Sequence, residues 1–138
     1  MADPNSQSST GLQNVSSNQA IRLLGKIKAC NFAAAQDIAF PVINATRWSV
    51  KDVVIANASV AMTTAGVGVF TSPGSAGTVV LASLLLTALT GSTIVVDSAP
   101  TTTATQTAQT LYLRVITAFS SAGTADVFVY GYDFDHNV

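Results

Sequence analysis

Residues 53–96 contain no charged side chain, and this long neutral stretch limits the possible folds more than any other feature. Within it, residues 78–96 (TVVLASLLLTALTGSTIVV) are long and apolar enough to span a bilayer as a helix. The nearest charges on either side are Asp52 and Asp97, whereas membrane helices are usually flanked by Lys or Arg. Gly91 interrupts the run, and Thr and Val favour strands. The pattern therefore favours buried strands, with a membrane helix as the alternative.

Short alternating segments separated by turn-forming residues recur from residue 21 to residue 132. The clearest turn signals are SPGSAG at 72–77 and SSAGT at 120–124. About eight short strands without strand–helix–strand alternation predict an all-β fold, an antiparallel β-sandwich or barrel. The predicted strands are 21–29, 37–43, 47–58, 65–72, 78–82, 84–89, 93–96, 110–118 and 125–132. Of these, 78–82 and 84–89 also fit a short helix.

Charge is scarce in this chain. Charged residues make up 9% of the sequence, against about 25% in a typical soluble domain. Hydrophobic residues make up 49%, so we expect partner chains to cover much of the surface. The net charge of −1 gives no bulk attraction to nucleic acid or to an acidic membrane. Cys30 is the single cysteine, which excludes an intrachain disulfide and predicts a small buried apolar residue.

The first twenty residues differ from the rest of the chain. Residues 1–20 are rich in Ser, Asn and Gln and predict a flexible arm, followed by one β-sandwich domain over 21–138. No basic segment followed by an apolar run occurs there, so we do not expect a secretory signal. A single cysteine agrees with synthesis in a reducing cytosol.

Residues suited to catalysis are few. His136 is the single histidine, two residues from the end of the sequence, and no G-x-S-x-G motif is present. Most aspartates are scattered singly along the chain, so the sequence predicts neither an enzyme nor a cofactor. One cluster, 133–137 (DFDHN), offers ligands for a cation, but a solvated tail is the preferred interpretation and no metal site is predicted.

A basic stripe lies in the first predicted strand. Arg22, Lys26 and Lys28 are expected on one strand face, with Leu24 among them. The preferred interpretation is a solvated strand face, and the alternative is a docking strip for an acidic partner surface. Three cations without stacking aromatics are too few for a nucleic-acid track.

An aromatic series ends the last predicted strand. Phe128, Tyr130, Tyr132 and Phe134 recur at every second residue, which by default predicts the core-facing side of a strand. Alternatively, Tyr130 and Tyr132 contact a partner, since amphipathic rings are favoured at interfaces. The candidate partner-contact residues are Arg22, Lys26, Lys28, Tyr130, Tyr132 and Phe134.

Three segments carry a family resemblance. They are 40–59 (FPVINATRWSVKDVVIANAS), 66–81 (GVGVFTSPGSAGTVVL) and 110–131 (TLYLRVITAFSSAGTADVFVYG). With their Arg-aromatic strand start, F-T-x-P-G-type turn and closing A-D-V-F-V-Y-G strand, they resemble the capsid cement, or decoration, proteins of short-tailed bacteriophages. The resemblance implies a jelly roll of about eight strands that sits as a dimer or trimer on a capsid and bridges major capsid subunits.

The expected function is therefore that of a structural virion protein on the capsid surface, made in the host bacterial cytoplasm. Its expected partners are the major capsid protein and itself, as a homodimer in preference to a trimer, with neither nucleic acid nor membrane. The alternative is a carbohydrate- or receptor-binding β-sandwich of a phage fibre or adhesin. That alternative requires exposed Trp or Tyr platforms, and Trp48, the single tryptophan, lies in a predicted strand.

Overall fold

The computed structural model describes residues 21–43, 45–119 and 121–135, and every helix or strand element in these ranges is a β-strand. The all-β prediction is confirmed. The predicted arm, 1–20, lies outside the described residues. The eight strands are β1 (Arg22–Asn31), β2 (Asp37–Pro41), β3 (Trp48–Ala56), β4 (Gly66–Ser72), β5 (Ala76–Leu85), β6 (Val95–Asp97), β7 (Thr110–Thr117) and β8 (Thr124–Asp133).

The strands form two four-stranded antiparallel sheets. The first sheet has the order β1-β8-β3-β6 and the second has the order β2-β7-β4-β5. Strands pair first with last: β1 with β8, β2 with β7, β3 with β6 and β4 with β5. This nesting is that of one long hairpin rolled into two layers, so the predicted jelly-roll sandwich is confirmed.

The hydrophobic core lies between the two sheets. Trp48 at the start of β3 is fully buried, and its indole Nε1 donates a hydrogen bond to the carbonyl of Ala108 at 2.8 Å. Each large apolar side chain buried in this way contributes about 1.5–3 kcal/mol. Cys30 is also buried, which raises the pKa of its thiol to about 12 and confirms it as an inert apolar residue. The other large fully buried side chains include Phe32, Leu24, Ile55, Met62, Leu86, Leu89, Leu111 and Leu113.

The neutral stretch forms strands, as preferred from its sequence. Residues 76–85 belong to β5, which lies at the edge of the second sheet, and residues 95–97 form β6. Between these strands, Leu86 and Leu89 lie in a segment without regular secondary structure, and their side chains are buried. The helix that was considered for 84–89 is therefore not formed. No helix long and apolar enough to cross a membrane occurs in the described ranges.

Irregularities in β1 correct one prediction. The pairing of β1 with β8 shifts register between Leu23 and Gly25, so Arg22 lies opposite Gly131 whereas Lys26 lies opposite Phe128. Gly131 is buried on the inward side of β8 and Phe128 is on its outward side. Arg22 and Lys26 therefore lie on different faces, because an extra residue in a strand reverses the alternation that follows it.

Candidate functional site

The aromatic series of β8 lies on the outer face of the first sheet. On β8 the alternate residues Val127, Val129 and Gly131 are buried against the second sheet, whereas the aromatic residues are half-buried. The default prediction that these aromatic side chains face the core is therefore wrong. The valines point into the space between the sheets and lie beside the buried residues Val53 and Ile55 of β3, the neighbouring strand of the same sheet. We name this outer surface the aromatic face; its rings are Phe128, Tyr130, Tyr132 and Phe134.

The rings form a row along a central strand of the sheet. The ring centroids of Phe128 and Tyr130 are 6.5 Å apart with an interplanar angle of 26°. Those of Tyr132 and Phe134 are also 6.5 Å apart, with an angle of 30°. These separations lie within the range at which aromatic pairs attract each other. The row therefore presents amphipathic rings in a fixed arrangement, a composition enriched at protein interfaces.

Lys28 is held at one end of the aromatic face. Its Nζ lies 2.6 Å from Oδ2 of Asp126 and 5.6 Å from the centroid of the Phe128 ring. Asp126 also accepts hydrogen bonds from the backbone N–H of Ala29 and from Nδ2 of Asn57, each at 2.8 Å. The bond from Lys28, followed by those from Ala29 and Asn57, lowers the pKa of Asp126 to about 2. Lys28 thus has an internal partner.

Arg22 is paired within the chain as well. Its Nη1 lies 2.9 Å from Oδ2 of Asp133, whose side chain is almost fully buried at the end of β8. Of the three basic residues predicted as a docking strip, the structure leaves Lys26 without an ion pair in the described ranges. The role of all three in partner contact stays a prediction.

The structure describes the first three residues of the acidic cluster at 133–137. Asp135 accepts hydrogen bonds from the backbone N–H and hydroxyl of Thr46 and from the backbone N–H of Arg47, which lower its pKa to about 2. The solvated-tail interpretation is therefore wrong for Asp133, which is buried, whereas Asp135 is exposed and its carboxylate binds groups of the same chain. His136 lies outside the described residues, and no set of three metal-binding side chains converges within them.

Ion pairing accounts for almost every charge in the described ranges. Besides the pairs of Arg22 and Lys28, the structure holds Arg47–Asp135 at 3.4 Å, Lys51–Asp52 at 3.3 Å and Arg114–Asp37 at 3.0 Å. Lys26 and Asp97 are the two charged residues left without an ion pair in these ranges. They lie on β1 and β6, the two edge strands of the first sheet.

A second surface, at one end of the sandwich, is uncharged. Four loops meet there, namely 32–36, 57–65, 86–94 and the described part of the connection to β8, 118–119 with 121–123, and none of them contains a charged residue. Backbone hydrogen bonds join them, from Phe32 to Gly123, from Ser59 to Thr124, and from Met62 to Leu89. We name this surface the neutral end.

The neutral end exposes large aliphatic side chains. Of the six large hydrophobic residues that are exposed in the described ranges, Val60 and Ile94 lie in these loops, with Ile94 56% exposed, and Leu85 and Ile116 lie next to them near the ends of β5 and β7. The sequence analysis missed this surface. The neutral stretch 53–96 supplies two of its loops, but the topology is needed to bring the other two beside them.

Together these observations describe a sandwich with two candidate interaction surfaces. Comparison with known proteins adds no relative, because no protein-family model and no curated protein sequence matches the chain.

Proposed function

We propose that this chain is a structural virion protein that binds the outer surface of an assembled bacteriophage capsid and cements neighbouring major capsid subunits. The neutral end carries this proposal. Its aliphatic side chains are exposed to water in the isolated chain, and burying them against a partner is favourable by about 25 cal/mol for each Å² of apolar surface. No charge has to be desolvated in the same step, which otherwise opposes binding.

The mechanism is linkage between binding and assembly. A protein that binds the assembled shell and not its free subunits stabilises the shell by its binding free energy. A shell repeats the same junction many times, so modest contacts at each junction add up to a large stabilisation. Synthesis in the host cytoplasm and location on the virion surface belong to this proposal, which the family resemblance of residues 21–132 also supports.

The test uses capsids assembled without this protein. Purified wild type should sediment with the capsids and raise the temperature at which they release DNA. In Ile94→Asp a carboxylate replaces a side chain of the neutral end that is 56% exposed, so we expect a folded protein with at least about tenfold weaker binding. Ile21→Asp is the matched control, because Ile21 is 45% exposed outside the neutral end, and it should bind as wild type does.

The proposal fails if wild type does not sediment with capsids, or if Ile94→Asp binds as well as Ile21→Asp. Circular dichroism of both variants confirms that they are folded before binding is measured.

One observation favours carbohydrate binding as a second candidate function. Tyr130 and Tyr132 are half-buried on an outer sheet face, where a sugar ring has room to stack on them. Trp48, by contrast, is fully buried and cannot serve as a platform. Binding on a glycan array that Tyr130→Ala abolishes would support this function; an array without signal would exclude the glycans it carries.

A further inference from the structure

The neutral end has no charge with which to meet a charged partner. Its four loops contain no charged residue, and the five ion pairs in the described ranges all join residues outside these loops. A charged group of a partner that settled on this end would lose its hydration and find no opposite charge there, which costs free energy. The composition of the end therefore selects against charge on the surface that covers it.

Polar side chains of the neutral end are bonded within the chain. Oγ of Ser59 accepts a hydrogen bond from the backbone N–H of Thr124 at 3.0 Å. Oγ1 of Thr93 accepts one from the backbone N–H of Thr90 at 2.9 Å and donates to the carbonyl of Ala88. These hydroxyl groups already have partners, so they do not call for a polar surface opposite them.

The exposed side chains of the neutral end are short or branched. Besides Val60 and Ile94, the end exposes a set of alanines: Ala33, Ala34, Ala35, Ala61, Ala88 and Ala122. Alanine has no rotamer freedom to lose on binding, and the β-branched side chains of Val and Ile have little. Lys, Arg and Glu, whose side chains lose much more, are absent from these loops.

The backbone of the neutral end is held in place by contacts between its loops. The N–H of Phe119 donates to the carbonyl of Phe32 at 2.8 Å, and the N–H of Leu86 donates to the carbonyl of Ala65 at 2.9 Å. The side chains of Phe32, Leu86 and Leu89 are fully buried and anchor two of the loops. The end is therefore preformed in the free chain, and little ordering has to accompany binding.

We propose that the neutral end binds an uncharged, apolar surface of the assembled capsid, through side chains already in place and independently of ionic strength. This inference rests on the proposed capsid-binding function and adds the chemistry of the surface that is bound. Salt screens contacts between charges but does not weaken apolar contacts. A contact made instead by Arg22, Lys26 and Lys28 with an acidic surface would weaken as salt is added.

Sedimentation of wild type with capsids at two salt concentrations tests the charge of the contact. Between about 0.1 M and about 1 M NaCl the Debye length falls from about 10 Å to about 3 Å. The Kd of wild type should rise by no more than about threefold over this range. A larger rise would show that charges carry the contact and would overturn the inference, while capsid binding itself, and with it the proposed function, would stand.

Three substitutions at one exposed position test the sign of any charge on the capsid. Ile94→Asn is the uncharged reference, and Ile94→Asp and Ile94→Lys add one charge of either sign. Both charged variants should bind about threefold or more weakly than Ile94→Asn, because either charge is desolvated without a partner. If either charged variant binds as tightly as Ile94→Asn, the capsid carries an opposite charge there and the inference is wrong. Val60, 41% exposed in another loop, gives the same comparison if an Ile94 variant does not fold.

The control is the same set of substitutions at Ile21, which is 45% exposed outside the neutral end. These three variants should bind alike, and circular dichroism shows that each is folded. Failure of the two proposals can be told apart. Wild type that does not sediment with capsids at either salt concentration removes both, whereas binding that weakens with salt, or that prefers one sign of charge at Ile94, removes the uncharged partner surface alone.

Discussion

The outer faces of the two four-stranded antiparallel sheets differ in how far each covers its phenylalanine. On the second sheet the ring of Phe70 is 5% exposed and is not part of the core between the sheets. It lies over Gly68, where an added Cβ would be 2.8 Å from its Cε2. The turn after β4 lies close to the start of β2, since Gly74 N–H donates to Oδ2 of Asp37 at 2.9 Å. On the first sheet Phe128 remains half-buried.

This difference separates a phenylalanine that the chain covers itself from one that it leaves half-buried. On the second face, Oδ2 of Asp37 accepts hydrogen bonds from the backbone N–H of Gly74 and from Nη1 of Arg114. These charged and backbone groups therefore have partners within the chain. On the first face Lys26 has no ion pair in the described ranges. Half-buried rings occur on both outer faces, because Tyr112, which lies opposite Phe70, is half-buried too; the two faces differ in how far their phenylalanine is covered.

The largest expected effect tests this contrast directly. Phe70→Ala should lower the free energy of unfolding by about 3–5 kcal/mol, because it removes a buried ring and leaves a cavity. Phe128→Ala should cost about 1 kcal/mol, because a half-buried ring loses less contact. Denaturant unfolding of the two variants at a concentration where the chain is monomeric measures both. Equal losses would show that both faces are equally closed.

Much of the fold could be predicted from the sequence, whereas the surfaces could not. Alternation places Phe128 and Tyr130 on one face, but it does not say which face of β8 is inward; the full burial of Val127 and Val129 in the structure shows that. The register shift between Leu23 and Gly25 separates Arg22 from Lys26, and the alternation of apolar and polar residues in β1 does not reveal it. The neutral end could not be predicted without the strand order, because its four loops lie far apart in the sequence.

An intermediate loss of stability is expected when Asp126, which holds Lys28 beside the aromatic face, is replaced. The pKa of Asp126 is about 2 in the folded chain, below its ordinary value of 3.8. Its stabilising contribution is therefore complete above about pH 4 and is lost as pH falls towards 2. Asp126→Asn removes the charged hydrogen bonds and should cost about 2 kcal/mol at pH 7.

Acid unfolding checks the sign of this effect. The difference in unfolding free energy between wild type and Asp126→Asn should shrink as pH falls from 4 to 2. Asp97→Asn, which removes a carboxylate without an ion pair in the described ranges, is the control, and its difference from wild type should be small at every pH. A constant difference for Asp126→Asn across this range would contradict the assigned interactions.

The smallest expected effect concerns how the second face is closed. Asp37→Ala removes the bonds to Gly74 and Arg114, but it also removes Oδ1, which is buried without a hydrogen-bond partner in the described ranges. Because these contributions oppose each other, the loss of stability should be about 1 kcal/mol. The clearer change is local: the amide of Gly74 should exchange its hydrogen faster, while amides of β8 should not change. Unchanged exchange at Gly74 would mean that Asp37 does not hold the turn, and that the packing of Phe70 alone keeps the second face closed.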